Sequence, residues 1–228
     1  MAPTPLKRFV RGVVEPADGA VRRIPLGPGS GIKLEADPEP SLDQWLGLFE
    51  SELAPYVRRF CRPGTMCVDV GSYNAYYALI FAKRSGAPVR SYEPDAHALA
   101  RSRRNVALNA DLAGLVDIRE AFVGAAADPA NSVVTLDDEL AEWGPPGLIK
   151  IDVEGAELGV LTGAAHVLRH HRPHVIVETH SPGLEIACGD CLVGVGYAPT
   201  VVTQRRLLPQ DRPRQHNRWL VAAGRAGV

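Results

Sequence analysis

Ile149-Lys-Ile-Asp-Val-Glu-Gly-Ala-Glu157 is the stretch on which the fold assignment turns. It belongs to an apolar run over residues 147–153 that reads as a buried strand. Asp152, Glu154 and Glu157 then fall at and just past the end of that strand. Open α/β sheets place their ligand chemistry outside the carboxyl ends of parallel strands. Two upstream stretches end in a similar way. Cys67-Val-Asp-Val-Gly-Ser-Tyr-Asn74 closes on glycine and polar residues, and Tyr92-Glu-Pro-Asp95 closes on acids. Three such endings predict one site along one sheet edge.

Outward from these stretches, strand and helix signals alternate from residue 65 onward. Strands are expected over 65–70, 89–93, 148–153 and 174–178, with short apolar runs at 116–120 and 132–136. Helices are expected over 76–84, closed by Gly86, and over 96–109 and 156–170. Two β-rich runs at 197–203 and 218–222 lack a long helix between them, which predicts an antiparallel pair at one edge. The fold class expected is α/β, a doubly wound, Rossmann-like, seven-stranded and mostly parallel sheet with that antiparallel edge pair. Residues 1–40, rich in Pro, Gly and Arg, read as an irregular arm with one short hairpin. Ser41-Leu-Asp-Gln44 reads as a capping box, and Leu42, Trp45, Leu46, Phe49 and Leu53 follow at helical spacing. The expected organisation is an arm (1–40), a helix (41–60) and one α/β domain (61–228).

A chain of 228 residues suits one large core. A hydrophobic content of 46% with 22% charged residues is that of an ordinary globular protein. A net charge of −1 offers no electrostatic reason to expect nucleic acid. The arginine clusters at 22–23, 101–104 and 205–206 read as solvated faces. No apolar run approaches the roughly 20 residues of a membrane span. The N-terminus lacks an apolar signal core. A cytoplasmic location is therefore expected, and a homo-oligomer is compatible with the sequence. Cys67 leads into a predicted strand and reads as a small buried hydrophobe. Cys188-Gly-Asp-Cys191 has metal-ligand or redox spacing, but no second pair completes a zinc site, so both cysteines read as incidental.

Each strand end suggests a chemical role. Gly71 ends the first strand of the domain ahead of a helix, whose free N–H groups suit a carboxylate. Asp69 could hold an ammonium group there, and Ser72, Tyr73 and Asn74 complete the turn. Glu93 lies 22 residues beyond Gly71, near the spacing at which an acid accepts hydrogen bonds from ribose hydroxyls. Asp95 is the better cap for the following helix. Glu120 and Ala121 end the next strand, where a nucleobase would lie. Lys150 and Asp152 share a strand face, which suggests a structural ion pair for Lys150 and leaves Asp152 nearer the reacting atoms. Glu178 and His180 also share a face and should neighbour Asp152. Histidine has the intrinsic pKa of a general base near neutral pH. No metal is the preferred reading, although Asp152, Glu178 and His180 have ligand types that suit several divalent ions.

Taken together, these motifs resemble FkbM-type methyltransferases, a branch of the class I S-adenosylmethionine-dependent enzymes. The resemblance runs from about Trp45 to the last strand. It is carried by Val68-Asp-Val-Gly-Ser72, Tyr76-Tyr77, Tyr92-Glu-Pro-Asp95, Arg104-Asn105, Thr135-Leu-Asp-Asp138, Gly163-Ala164, Val177-Glu-Thr-His180 and, most specifically, residues 149–157. It implies S-adenosylmethionine as cofactor and O-methylation of a small-molecule hydroxyl on a polyketide, sugar or other secondary metabolite. The implied cofactor contacts are Asp69, Gly71, Ser72, Tyr73, Asn74, Glu93, Glu120, Ala121 and Asp152. The reacting group would be His180, Asp152, Glu178 and Glu154, with His180 the first choice of base and Asp152 the second. Methylation of nitrogen or RNA, and a non-catalytic nucleoside-binding module, are the alternatives. One departure stands out. Tyr73 and Ala75 occupy positions where the family pattern has Asn and a second Gly.

Overall fold

The computed structural model describes residues 19–36, 42–204 and 218–224. The chain runs through β1 (Val21–Arg23), β2 (Lys33–Glu35), α1 (Leu42–Leu46), α2 (Ala54–Phe60), β3 (Cys67–Val70), α3 (Tyr76–Ser85), β4 (Val89–Tyr92) and α4 (Ala96–Leu108). It continues through α5 (Ala110–Ala113), β5 (Val116–Arg119), β6 (Phe122–Val123), β7 (Val133–Val134), α6 (Leu136–Trp143), β8 (Leu148–Ile151), α7 (Glu157–Thr162) and α8 (Ala165–His170). It closes with β9 (His174–Thr179), α9 (Pro182–Gly194), β10 (Thr200–Thr203) and β11 (Arg218–Ala222).

β3, β4 and β8 are buried at every position, the pattern of strands covered on both faces. They lie at the middle of a seven-stranded sheet of order β10-β11-β9-β8-β3-β4-β5. Strands β5, β4, β3, β8 and β9 are parallel, and β11 is antiparallel to both β9 and β10. The strand order reverses between β3 and β8, the switch point at which such sheets bind ligands. One core layer packs Trp45, Val57, Phe60 and the α3 side chains against Cys67, Leu148, Ile176 and Trp219. The other packs Leu136, Leu140, Val160, Leu161, Val167, Leu168 and Leu192 against Val68, Ile149 and Val175. The doubly wound sheet and its antiparallel edge agree with the sequence expectation.

The hairpin expected in the N-terminal arm is β1–β2. Asn105 on α4 and Asn109 at its C-cap hold it in place. Asn105 Oδ1 accepts from Glu35 N at 2.8 Å, and Asn109 both accepts from Lys33 N and donates to Lys33 O. The side-chain amides thus serve as a substitute neighbouring strand.

The helix expected over 41–60 is interrupted. Ser41 lies outside the described residues, and α1 ends before Gly47, whose φ is 75°. A Cβ at Gly47 would stand 2.0 Å from the Leu26 carbonyl oxygen, so the arm crosses too closely for a continuing helix. The helix expected over 156–170 divides at Gly163, where a Cβ would meet Gly124 O at 2.0 Å. Besides the single turn α5, two helices had no counterpart in the sequence reading. In α9, Gly183, Gly189 and Gly194 dilute a run with no helical period, yet its start signals are ordinary. Pro182 opens it, and Ser181 Oγ accepts from Leu184 N at 3.2 Å. In α6, Thr135 caps the helix by accepting from Asp138 N, so the apolar run at 132–136 is only partly a strand.

Candidate active site

The carboxyl ends of β3, β4, β5, β8 and β9 open on one edge of the sheet. Parallel register pairs Lys150 with Ile176, so Asp152 and Glu178, two residues further along each chain, come side by side. His180 follows β9 directly. One ligand atom each from Asp152, Glu178 and His180 lie within 4.8 Å of one another. His180 Nε2 is 3.6 Å from Asp152 Oδ1, and His180 Nδ1 is 2.5 Å from Glu157 Oε1. The hydrogen bond to Glu157 raises the His180 pKa above its ordinary value, burial opposes this, and the charge of Asp152 adds to the rise. Burial would raise Glu157, but His180 and the neighbouring backbone N–H groups hold it below the usual carboxylate value.

The buried side of this group is an ion cluster. Lys150 Nζ donates to Asp152 Oδ2 at 3.1 Å and lies 4.4 Å from the Tyr77 ring centroid. The Tyr77 hydroxyl donates to Glu50 Oε2 at 2.8 Å. Burial works against the Lys150 ammonium, but Asp152, Glu50, Asp69 and Glu178 together raise its pKa above its ordinary value. The expected structural role of Lys150 fits this geometry. Glu178 is fully buried and accepts from Trp219 Nε1 at 3.2 Å. It therefore belongs to the cluster, while the carboxylate in contact with His180 Nδ1 is Glu157. Glu154 is exposed in a left-handed turn, φ 47°, and contributes its charge to His180.

On the β3–β4 side, Asp69 is 1% exposed, with no side-chain hydrogen-bond partner among the described residues and the backbone N–H of Ala78 set against its carboxylate. Burial pushes its pKa up from 3.8 to about 7, with Lys150 pulling the other way. Gly71 has φ 83°, and a Cβ there would lie 1.8 Å from Asp152 O. This glycine is required because the turn after β3 touches the end of β8. Glu93 is buried and accepts from Tyr73 N at 2.7 Å and Asp95 N at 2.9 Å, and burial raises its pKa. Asp95 caps α4, as expected.

Ser72 is buried, with Oγ unpartnered among the described residues. Asn74 is turned inward: its Oδ1 accepts from Tyr76 N, and its Nδ2 donates to Gln44. Tyr73 is 53% exposed and stacks near Arg101, 5.7 Å from guanidinium to ring centroid. Tyr73 and Ala75 both adopt left-handed backbone, φ 51° and 62°, where Asn and Gly are the residues of least strain. Glu120 is exposed just past β5, while Ala121 is buried in the second core layer. The buried carboxylate of Asp69 and the Ser72 hydroxyl, which has no partner among the described residues, fit a ligand that donates hydrogen bonds, as the ammonium end of S-adenosylmethionine does.

The sequence reading did not include Glu50, Tyr77 or Trp219 in the site, and it treated Glu157 only as a strand-end acid. Glu157 carried a signal, because it closes the most specific motif. Glu50 and Trp219 carried none, since they arrive from distant segments.

A seven-stranded sheet of this order, with a carboxylate-rich site at its switch point, defines a doubly wound α/β fold. Residues 127–201 match the family model of the Methyltransferase FkbM domain. Methyltransferase FkbM from Methylobacillus flagellatus KT superposes with a TM-score of 0.59 at 17% identity, covering 79% of this chain and 54% of that one. The chain thus spans about half the length of that protein. A precorrin-6y C5,15-methyltransferase from Geobacter metallireducens GS-15 gives 0.54 at 14% identity, over 78% and 88% of the two chains. A putative rRNA-methylase from Clostridium thermocellum gives 0.57 at 14% identity, over 78% and 96%. No curated protein matches in sequence. The structural likenesses establish the fold, and over residues 127–201 the chain is similar to the Methyltransferase FkbM domain.

Proposed function

We propose that the protein transfers a methyl group from S-adenosylmethionine to a hydroxyl oxygen of a small molecule. The observation that carries this reading is His180 at the strand ends, with Nε2 3.6 Å from Asp152 and Nδ1 against a buried carboxylate. When bound, S-adenosylmethionine supplies a methyl carbon made electrophilic by its sulfonium. Asp69 and Ser72 would hold its amino-acid end, Glu93 its ribose, and Glu120 and Ala121 its base. His180 Nε2 takes the acceptor's hydroxyl proton as the oxygen bonds to carbon, and Asp152 is the second candidate. Alignment at the switch point and removal of water supply most of the rate, with effective-molarity gains worth roughly 7–11 kcal/mol in favourable cases. A polyketide, a sugar or another secondary metabolite is the acceptor class, in the cytoplasm. The near-neutral charge disfavours an RNA substrate.

The test is tritium transfer from labelled cofactor to a panel of hydroxyl, amine and RNA acceptors. Label in an O-methyl group is expected. His180→Ala should lower turnover by about 10²–10⁴-fold with little change in S-adenosylhomocysteine affinity. Near-wild-type turnover would remove His180 as base. Transfer only to amines or RNA would overturn the acceptor class, and no transfer alongside intact cofactor binding would favour a binding module.

The convergence of Asp152, Glu178 and His180 supports a second reading, in which a divalent ion binds there and orients the acceptor oxygen. Activity that requires added Mg²⁺ and is abolished by chelator would select it. Activity indifferent to chelator would select His180 as base.

A further inference from the structure

We infer that Glu157 is the positioning residue that decides which nitrogen of His180 works at the site. This rests on His180 being a working group, whether as base or as ligand. Glu157 is the first residue of α7 and is fully buried. An ionised carboxylate can only accept hydrogen bonds. The 2.5 Å contact between Glu157 Oε1 and His180 Nδ1 therefore places a hydrogen on Nδ1. In the neutral imidazole, Nε2 then carries the lone pair, and Nε2 is the nitrogen facing Asp152. Taking up a proton and binding a cation both require that arrangement.

A second contact ties the same carboxylate to the backbone. Gly155 N donates to Glu157 Oε1 at 3.0 Å, within a turn where Glu154 and Gly155 have φ of 47° and 118°. One buried group thus joins the loop after β8 to the loop after β9. The other ionisable groups near the pair are Asp152 at the end of β8, Glu178 on β9, Glu154 in the turn and Cys188 on α9. None of them is recorded in hydrogen-bond contact with Nδ1, which Glu157 engages.

The experiment is long-range ¹H–¹⁵N NMR on ¹⁵N-histidine-labelled full-length protein, with His180 assigned by difference against His180→Gln. It needs no acceptor. In the wild type above the His180 pKa, the Nδ1–H tautomer is expected. In Glu157→Gln, the His180 pKa should fall and the Nε2–H tautomer should appear, because an amide can donate to Nδ1. Melting temperature and S-adenosylhomocysteine affinity should move little. A wild-type Nε2–H tautomer, or a Glu157→Gln spectrum matching the wild type, would overturn the assignment. If Glu157→Gln does not fold, the wild-type tautomer decides alone. Failure of the acceptor panel would leave these spectra unchanged, so the two readings fail separately.

Discussion

Asp69→Asn should make the protein more stable at pH 8 and a weaker binder of its cofactor. Asp69 is buried on β3, and the backbone N–H of Ala78 offsets only part of the cost of burying its charge. Burial moves its pKa from 3.8 to about 7. That rise, at about 1.4 kcal/mol per pH unit, corresponds to about 4 kcal/mol. The sign follows from the raised value. Below pH 3.8 the group is protonated in both folded and unfolded chains, and its contribution to stability is fully present. Between about pH 4 and about pH 7 the unfolded chain ionises first, and that contribution is lost. Asn is neutral and nearly isosteric, so Asp69→Asn should lack this loss and exceed the wild type at pH 8 by up to about 4 kcal/mol. Urea unfolding at pH 4 and pH 8, followed by fluorescence of the buried Trp219, measures the difference between the two curves. Calorimetry with S-adenosylhomocysteine should show weaker binding in the same variant, a trade of stability for function. Parallel stability curves from pH 4 to pH 8, or a variant less stable than the wild type at pH 8, would refute the assignment of Asp69 as a strained buried acid.

Three further outcomes follow from the same geometry. Lys150→Met should destabilise the fold by about 3–5 kcal/mol in urea, because Asp152 loses its partner and the buried carboxylates lose their cation. A loss below about 1 kcal/mol would show the cluster already neutralised by protons. Glu93→Ala should weaken S-adenosylhomocysteine binding at least tenfold, about 1.4 kcal/mol, and should also loosen the turns at Tyr73 and Asp95 that it holds. Unchanged affinity in calorimetry would remove Glu93 from the cofactor site. Cys188→Ser with Cys191→Ser should keep the fold and leave metal content unchanged, because burial raises both thiols, Cys188 to about 12, and a thiol held protonated is a poor ligand. One equivalent of zinc in the wild type that the double variant loses would refute this.

The sheet was legible in the sequence because its strands are short apolar runs that end in polar residues, and both features are local. Asp152, Glu178 and His180 were also legible as neighbours, since strand alternation and parallel register bring them together without any side-chain information. Contacts that depend on chain crossings were not legible. Leu42, Trp45, Leu46, Phe49 and Leu53 keep a helical period, but the approach of Leu26 at Gly47 breaks the backbone beneath it. α9 escaped notice because its glycines dilute an apolar run with no polar face. Glu50 reaches the Tyr77 hydroxyl over 27 positions in sequence, and Trp219 reaches Glu178 over 41, distances at which no motif operates.

The residues that carry the family resemblance are largely joints of the architecture. Gly71 admits the Asp152 carbonyl, and Gly163 admits the Gly124 carbonyl. Asn105 holds β2, and Asp137 caps α8 by accepting from His166 N and Val167 N. Such positions tolerate few side chains whatever the substrate is, so a match across them reports the fold and the cofactor platform. On the proposed reading the acceptor would be met elsewhere, beside His180 and the start of α9. There Arg218 pairs with Glu185 at 3.1 Å, and Thr179, Ser181 and Pro182 line a cavity of about 100 Å³ with them. Of these, Glu185 and the Arg218 side chain meet each other rather than the sheet, so they are the two most open to variation with the acceptor. That separation is consistent with the fold being shared by proteins named as a precorrin-6y C5,15-methyltransferase and a putative rRNA-methylase. It is also why substitutions at Glu185 or Arg218 should shift acceptor preference while cofactor affinity stays near the wild-type value.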